Sequence, residues 1–364
     1  MSTRHPSQTR SPARSPFFNW LAAGVVSACV ALAAPALAAP LVVFGDSLSD
    51  SGNVTAAGFY DPGQVVSGNS YVPAGTYASG VFSNGPVWVN GFAAAMGWSI
   101  DASHDNPAGT NFAYGGARLT PSVAAAPPSL FEQTQQYLGR VSGVADPEAL
   151  YVIAGGGNDA RDALENYGAA YFAALATGSA DPHGDALAAS LPAALQNYVL
   201  GMSIIIESLR DAGAARLLVW NMPYLGSVPA LQAGGLGAVA EGFAQAFNIA
   251  LGQLLAAMPT VQLFDLHALG VDFAEDRADF GLTNVSDACG AVPGADCSTW
   301  LWWDGIHPTT AGHQLIASAM VRAVADVNEV AEPPVLLLVL GGLLLVGFAA
   351  QRRTGRAHRR TAFT

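Results

Sequence analysis

Leu41-Val42-Val43-Phe44-Gly45-Asp46-Ser47-Leu48-Ser49-Asp50-Ser51-Gly52-Asn53 is the stretch on which the reading of this chain turns. Its first four residues are apolar without alternation and stop at a glycine. A run that short suits a strand buried on both faces, and the glycine marks a turn at its end. Comparable runs occur at residues 149–154, 216–221 and 261–266, each bounded by glycine, proline or asparagine. Between them the apolar spacing predicts helices over 86–96, 187–211, 236–258 and 309–327. Strands alternating with helices predict an α/β domain with a mainly parallel central sheet covered on both faces. Residues 54–84 and 160–185 fall outside that rhythm and are expected to be loop insertions over the sheet's edge.

The first strand delivers Ser47 onto its turn. In an open α/β sheet the carboxyl ends of strands are where sites gather, and a serine there becomes a nucleophile only if a base takes its proton. Trp302-Trp303-Asp304-Gly305-Ile306-His307-Pro308-Thr309 offers one. Asp304 lies three residues before His307, so on a turn entering a helix the carboxylate can hold the imidazole tautomer and stabilise its protonated form. Pro308 and Thr309 fit a helix start that would fix the base. Acyl transfer also needs donors for a developing oxyanion. Asn111-Phe112-Ala113-Tyr114-Gly115-Gly116-Ala117 and Gly155-Gly156-Gly157-Asn158-Asp159 are two glycine-rich turns that could supply them. The Gly116 backbone N–H, the Asn158 side-chain amide and the Ser47 N–H are the candidates. Asp46, Asp50 and Asn53 are expected to brace the first turn, with Asp50 as an alternative acid for the base. Asp159 is expected to cap the helix after Asn158, and Trp302 and Trp303 to pack around the base loop. His104, His183, His267 and His313 are read as loop or surface residues.

These four blocks, in this order, resemble the SGNH or GDSL hydrolases across residues 40–329. Gly45–Leu48 matches the family's Gly-Asp-Ser-Leu block, Asn111–Ala117 its glycine block, Gly156–Asp159 its Gly-x-Asn-Asp block and Asp304–His307 its Asp-x-x-His block. The resemblance implies a three-layer α/β/α sandwich like flavodoxin. It also implies esterase or lipase activity on acyl esters, with Ser47, Asp304 and His307 as the triad and Ser47, Gly116 and Asn158 as the oxyanion hole. The long FGDSLSDSGN opening and the terminal WDGIHPT resemble the phospholipase/lecithinase-type subgroup, which points towards lipid acyl esters. Carbohydrate O-deacetylation and a non-catalytic surface protein on the same fold are the rival expectations. No cofactor and no metal is expected: there is no HExxH, no cluster of Cys and His, no G-x-x-x-x-G-K-[ST] and no G-x-S-x-G.

Charged residues make up 12% of the chain, against roughly 25% in ordinary soluble domains. Every basic residue is arginine, and eight of the 15 lie before residue 40 or after residue 350. The middle is therefore acidic, which argues against nucleic acid as a partner. Residues 1–38 read as a signal peptide: a basic start without acids, an apolar run from about Phe17 to Leu37, and Ala36-Leu37-Ala38 for signal peptidase. An uncleaved anchor and a lipobox at Cys29 are the alternatives. Residues 330–364 read as a second address, an apolar helix over 335–350 followed by arginines. That order resembles a PEP-CTERM sorting tail, removed by a membrane protease, or else serves as an anchor. The domain over 39–329 is thus expected outside the cytoplasmic membrane, where Cys289 and Cys297 would form a disulfide.

Overall fold

A computed structural model describes residues 41–59, 80–121 and 127–329. The segments read as signal peptide and sorting tail, and most of the loop expected over 54–84, lie outside the described residues. Four strands, β1 (Leu41–Gly45), β2 (Leu150–Ala154), β3 (Arg216–Trp220) and β4 (Val261–Phe264), pair in parallel in that order. β1 and β2 are buried along their whole length, which is why they read as unbroken apolar runs. β4, at the edge, leaves Leu263 exposed.

On the other side of β1 runs the segment 110–114. Val43 N donates to Thr110 O (3.0 Å), Phe112 N to Val43 O (2.8 Å) and Tyr114 N to Gly45 O (3.1 Å). Counted in chain order, this gives the sheet order 2-1-3-4-5 of flavodoxin-like folds, with its switch point between β1 and β2.

Among the described residues seven longer helices flank the strands: α1 (Trp88–Ala95), α2 (Leu130–Arg140), α3 (Gly157–Ala176), α4 (Pro182–Asp211), α5 (Gly237–Ala256), α6 (Leu266–Glu275) and α7 (Thr310–Glu329). α1 and α7 pack together on the face where the Trp220 ring meets Trp88 and its Nε1 points at Met320 Sδ. α2 covers the opposite face, where Tyr137 meets Phe44 and Tyr151, and α4 packs beside it. Helices on both faces of a parallel sheet make the expected three-layer α/β/α sandwich.

The expected loop over 160–185 is instead the body of α3 and the first turn of α4, an antiparallel hairpin. Its alanine-rich sequence lacks a strong apolar stripe, but its punctuation is regular. Asp181 caps α4 by accepting from Gly184 N (3.0 Å), and Pro182 occupies the first turn. α2 carries a capping box in which Ser129 and Glu132 satisfy each other's backbone N–H groups. Two short strands, β5 (Asn284–Ala288) and β6 (Trp300–Trp302), form a separate ribbon before α7. The disulfide Cys289–Cys297 closes the loop between them.

Candidate active site

β1 and β2 end level, Gly45 opposite Ala154, and both hand the chain to glycine turns at the switch point. A Cβ on Gly45 would stand 2.7 Å from Ala154 O and 2.9 Å from Ser49 Oγ, so only glycine lets the strand end this close to its neighbour. Gln133 from α2 then pairs with Gly45 as another strand would. Its Oε1 accepts from Gly45 N and its Nε2 donates to Gly45 O, both at 2.9 Å. Beyond Gly45 the turn is held by buried polar side chains. Asp46 Oδ1 accepts from Leu48 N (3.1 Å). Asp50 accepts from the N–H groups of Gly52, Asn53, Val54 and Gly115. Asn53 Nδ2 donates to Asn111 O and Ala113 O (2.8 Å each). Asp46 and Asp50 thus brace the turn, and Asp50 does not touch the base. Loss of hydration pushes both carboxyls up to about 6, outweighing the N–H groups they accept from.

The second half of the site comes from the other end of the domain. Asp304, fully buried, accepts from Ile306 N (2.7 Å) and His307 N (2.6 Å) through Oδ1. Its Oδ2 lies 2.6 Å from His307 Nδ1. His307 Nε2 lies 2.8 Å from Ser47 Oγ. Asp304, His307 and Ser47 therefore form one hydrogen-bonded line across the switch point. Thr309 Oγ1 accepts from Gly312 N (3.1 Å) and donates to Trp300 O (2.6 Å), so the α7 cap is also tied to β6. Trp302 Nε1 donates to Val285 O (2.9 Å) and Gly290 N to Trp303 O (2.8 Å), which binds the base loop to the disulfide loop. Phe82, which sequence reasoning did not single out, lies tilted over the His307 ring at 5.1 Å.

The two expected oxyanion turns meet beside this line. Asn158 sits in the first turn of α3 and donates to Ala117 O (2.9 Å), leaving its second amide hydrogen for another acceptor. Gly116 has φ +79°, a conformation that favours glycine, and a Cβ there would meet only Pro127 Cγ, at 3.9 Å. Among the described residues neither the Ser47 nor the Gly116 N–H donates to a protein acceptor. Two expectations fail here. Asp159 is not a helix cap: Gly156, at φ +112°, takes that position. Asp159 reaches outward to accept from Leu119 N (3.1 Å), and loss of hydration pushes its carboxyl up to about 7. His313 is not a loop or surface residue. It is fully buried in α7, where burial pushes it down to about 3 and keeps it neutral. Its helical spacing, six residues after His307, hid its inward direction. His104 and His267 are half-buried against Tyr114 and Glu241, and His183 is exposed.

Ser47, Asn158 and His307 line a cavity of about 310 Å³. Apart from that polar end and Arg161, its wall is largely aliphatic and aromatic, with Leu164, Leu225, Val228, Leu231, Phe273 and Ile306 among the lining residues. Among the described residues no group of three His, Cys, Asp or Glu stands together as metal ligands would.

The family model described as GDSL-like Lipase/Acylhydrolase matches residues 41–320. A GDSL esterase/lipase of Arabidopsis thaliana is 26% identical, over 78% of this chain and 88% of that protein. Esterase EstA of Pseudomonas aeruginosa is 28% identical, over 78% of this chain and 46% of its own length. The chain spans about half the length of the Pseudomonas relatives it matches. The solved aryl esterase of M. smegmatis aligns over 79% of this chain and 99% of its own, with 16% identity and a TM-score of 0.43.

Proposed function

Starting from the fact that this chain belongs to the GDSL-like lipase/acylhydrolase family, we propose that it hydrolyses carboxylic esters of apolar acyl chains through an acyl-enzyme on Ser47. The observation that carries this is the hydrogen-bonded line Asp304–His307–Ser47 opening onto an apolar cavity. His307 Nε2 takes the proton of Ser47 Oγ as the oxygen attacks the ester carbonyl. Asp304 fixes the tautomer at Nδ1 and stabilises the imidazolium that forms. The tetrahedral oxyanion is held by the Ser47 and Gly116 N–H groups and the Asn158 amide. His307 then passes the proton to the leaving alcohol, and water repeats the sequence to release the acid.

The cavity wall supports an acyl chain longer than acetyl. At about 30 Å³ for each water-sized group, its volume accommodates a chain of roughly ten carbons. A lipid acyl ester of the phospholipase/lecithinase kind fits that wall better than an acetylated sugar would. Export is part of the same proposal, with residues 1–38 as a signal peptide and 330–364 as a sorting or anchoring tail. The Cys289–Cys297 disulfide supports an oxidising compartment.

The test is hydrolysis of p-nitrophenyl esters from acetyl to palmitoyl by the purified protein and by Ser47→Ala, with an intact mass to read the ends. Activity peaking near medium chains, and falling at least about 10⁴-fold in Ser47→Ala, is expected. A peak at acetyl transfers the proposal to a deacetylase. A folded protein that hydrolyses none of these esters and takes no fluorophosphonate label ends it.

A further inference from the structure

The oxyanion donors assigned above come from two separate pieces of chain, the turn at Gly116 and the first turn of α3, and nothing in the triad holds them together. A set of contacts behind the cavity does. Asn158 Nδ2 donates to Ala117 O (2.9 Å) and Asp159 accepts from Leu119 N (3.1 Å). Arg118 forks onto Asp162, its Nη2 2.8 Å from Oδ1, and its Nη1 reaches back to Gly116 O (3.2 Å). Residues 116–119 are thus clipped to α3 by three of its side chains, those of Asn158, Asp159 and Asp162. Asp159 is the one clip aimed at a backbone N–H, so it fixes the main chain of the turn itself. Neighbouring groups set its electrostatics: Arg118 draws it towards the ionised form, and Asp162 opposes this.

We propose that Asp159 is a positioning residue for the oxyanion hole: by anchoring the Leu119 N–H to α3 it holds the Gly116 N–H and the Asn158 amide on one point. This rests on the oxyanion assignment made above. The geometry demands it because such donors act only when aimed to within a fraction of an ångström, and a displacement of about 1 Å can cost about 100-fold in rate. Asp159 touches no reacting atom, and its loss should therefore appear in kcat rather than in KM.

The experiment is a double-mutant cycle on the full chain, with kcat and KM for a medium-chain p-nitrophenyl ester and a thermal melt for each variant. Asp159→Ala is expected to lower kcat roughly 10- to 100-fold with KM little changed. Asp159→Asn, whose amide oxygen still accepts from Leu119 N, is expected to recover most of that loss. In an Asn158→Ala background the added Asp159→Ala should cost far less than it does alone, because the hole is already broken. Full additivity, a loss carried by KM, or wild-type kcat in folded Asp159→Ala would overturn the proposal. If Asp159→Ala does not fold, Asp159→Ser, whose side chain is one atom shorter, carries the same cycle, and an additive result there overturns it equally. Should Asn158→Ala alone leave kcat intact, the oxyanion assignment itself fails, which separates that outcome from failure of the clip.

Discussion

The two halves of the site are braced differently. The nucleophile turn is held from a distance. Gly45 is paired by Gln133, 88 residues away, and Asp50 reaches Gly115 across 65 residues. Asn53 reaches Ala113 across 60. The base loop adds a local brace to its distant contacts: Asp304 accepts from Ile306 N and His307 N and meets His307 Nδ1, all within three residues, and a disulfide closes nine residues just before it. The difference teaches where each half draws its rigidity. A nucleophile on a strand end inherits the geometry of the whole sheet. A base on a loop outside the sheet needs its own local brace.

The comparison breaks or sharpens on three measurements. The largest effect is expected for Asp50→Ala, which leaves four buried N–H groups without their acceptor. Denaturant unfolding should show a loss of about 3–5 kcal/mol, in the range for stripping a buried charged partner. A loss under about 1 kcal/mol would mean that the nucleophile turn does not depend on the Asp50 carboxylate. Removing the disulfide with Cys289→Ser and Cys297→Ser should cost less, about 2–3 kcal/mol for a loop this short, read by the same unfolding curves. If it costs more than Asp50→Ala, the ranking of the two halves is reversed.

The smallest effect is in pH. The carboxyls held above their ordinary range, Asp46, Asp50 and Asp159, all lie on the nucleophile side. A carboxyl raised in the folded state binds its proton more tightly there than in the unfolded chain. Its contribution to stability is therefore present below its ordinary value near 4 and is lost as pH rises through about 7 for Asp159. His313, held down to about 3, works in the opposite direction, but it is common to wild type and variant and cancels in their difference. Wild type should gain stability over Asp159→Asn as pH falls from about 7 to about 4. A difference that is flat across that range would show that Asp159 titrates alike folded and unfolded.

The four parallel strands, four of the helices packed on them (α1, α4, α5 and α7) and the pairing of Ser47 with His307 were legible because each is written in a short stretch. Phe44-Gly45 announces a strand end, and Asp304 three residues before His307 announces a held imidazole. What was not legible needed partners far along the chain. No local pattern says that Gln133 pairs with Gly45, or that Phe82 lies over His307. Asp159, directly after Asn158, looks like a cap from sequence alone, and only the approach of Leu119 reveals its other use. The α3–α4 hairpin was hidden because alanine and glycine blur its apolar face, although Asp181-Pro182 spelled a helix start. The capping box at Ser129 and Glu132 was likewise a readable signal that pointed to α2.

Ser47 and His307 are 260 residues apart and meet at 2.8 Å. A ribosome adding about 5–20 residues each second makes the serine tens of seconds before the imidazole that activates it. Through that interval Ser47 carries only the reactivity of an ordinary alcohol. A nascent chain that has not yet reached His307 has no such base beside Ser47. On the proposed mechanism, turnover can begin only once the segment carrying His307 has been made and has docked beside Ser47.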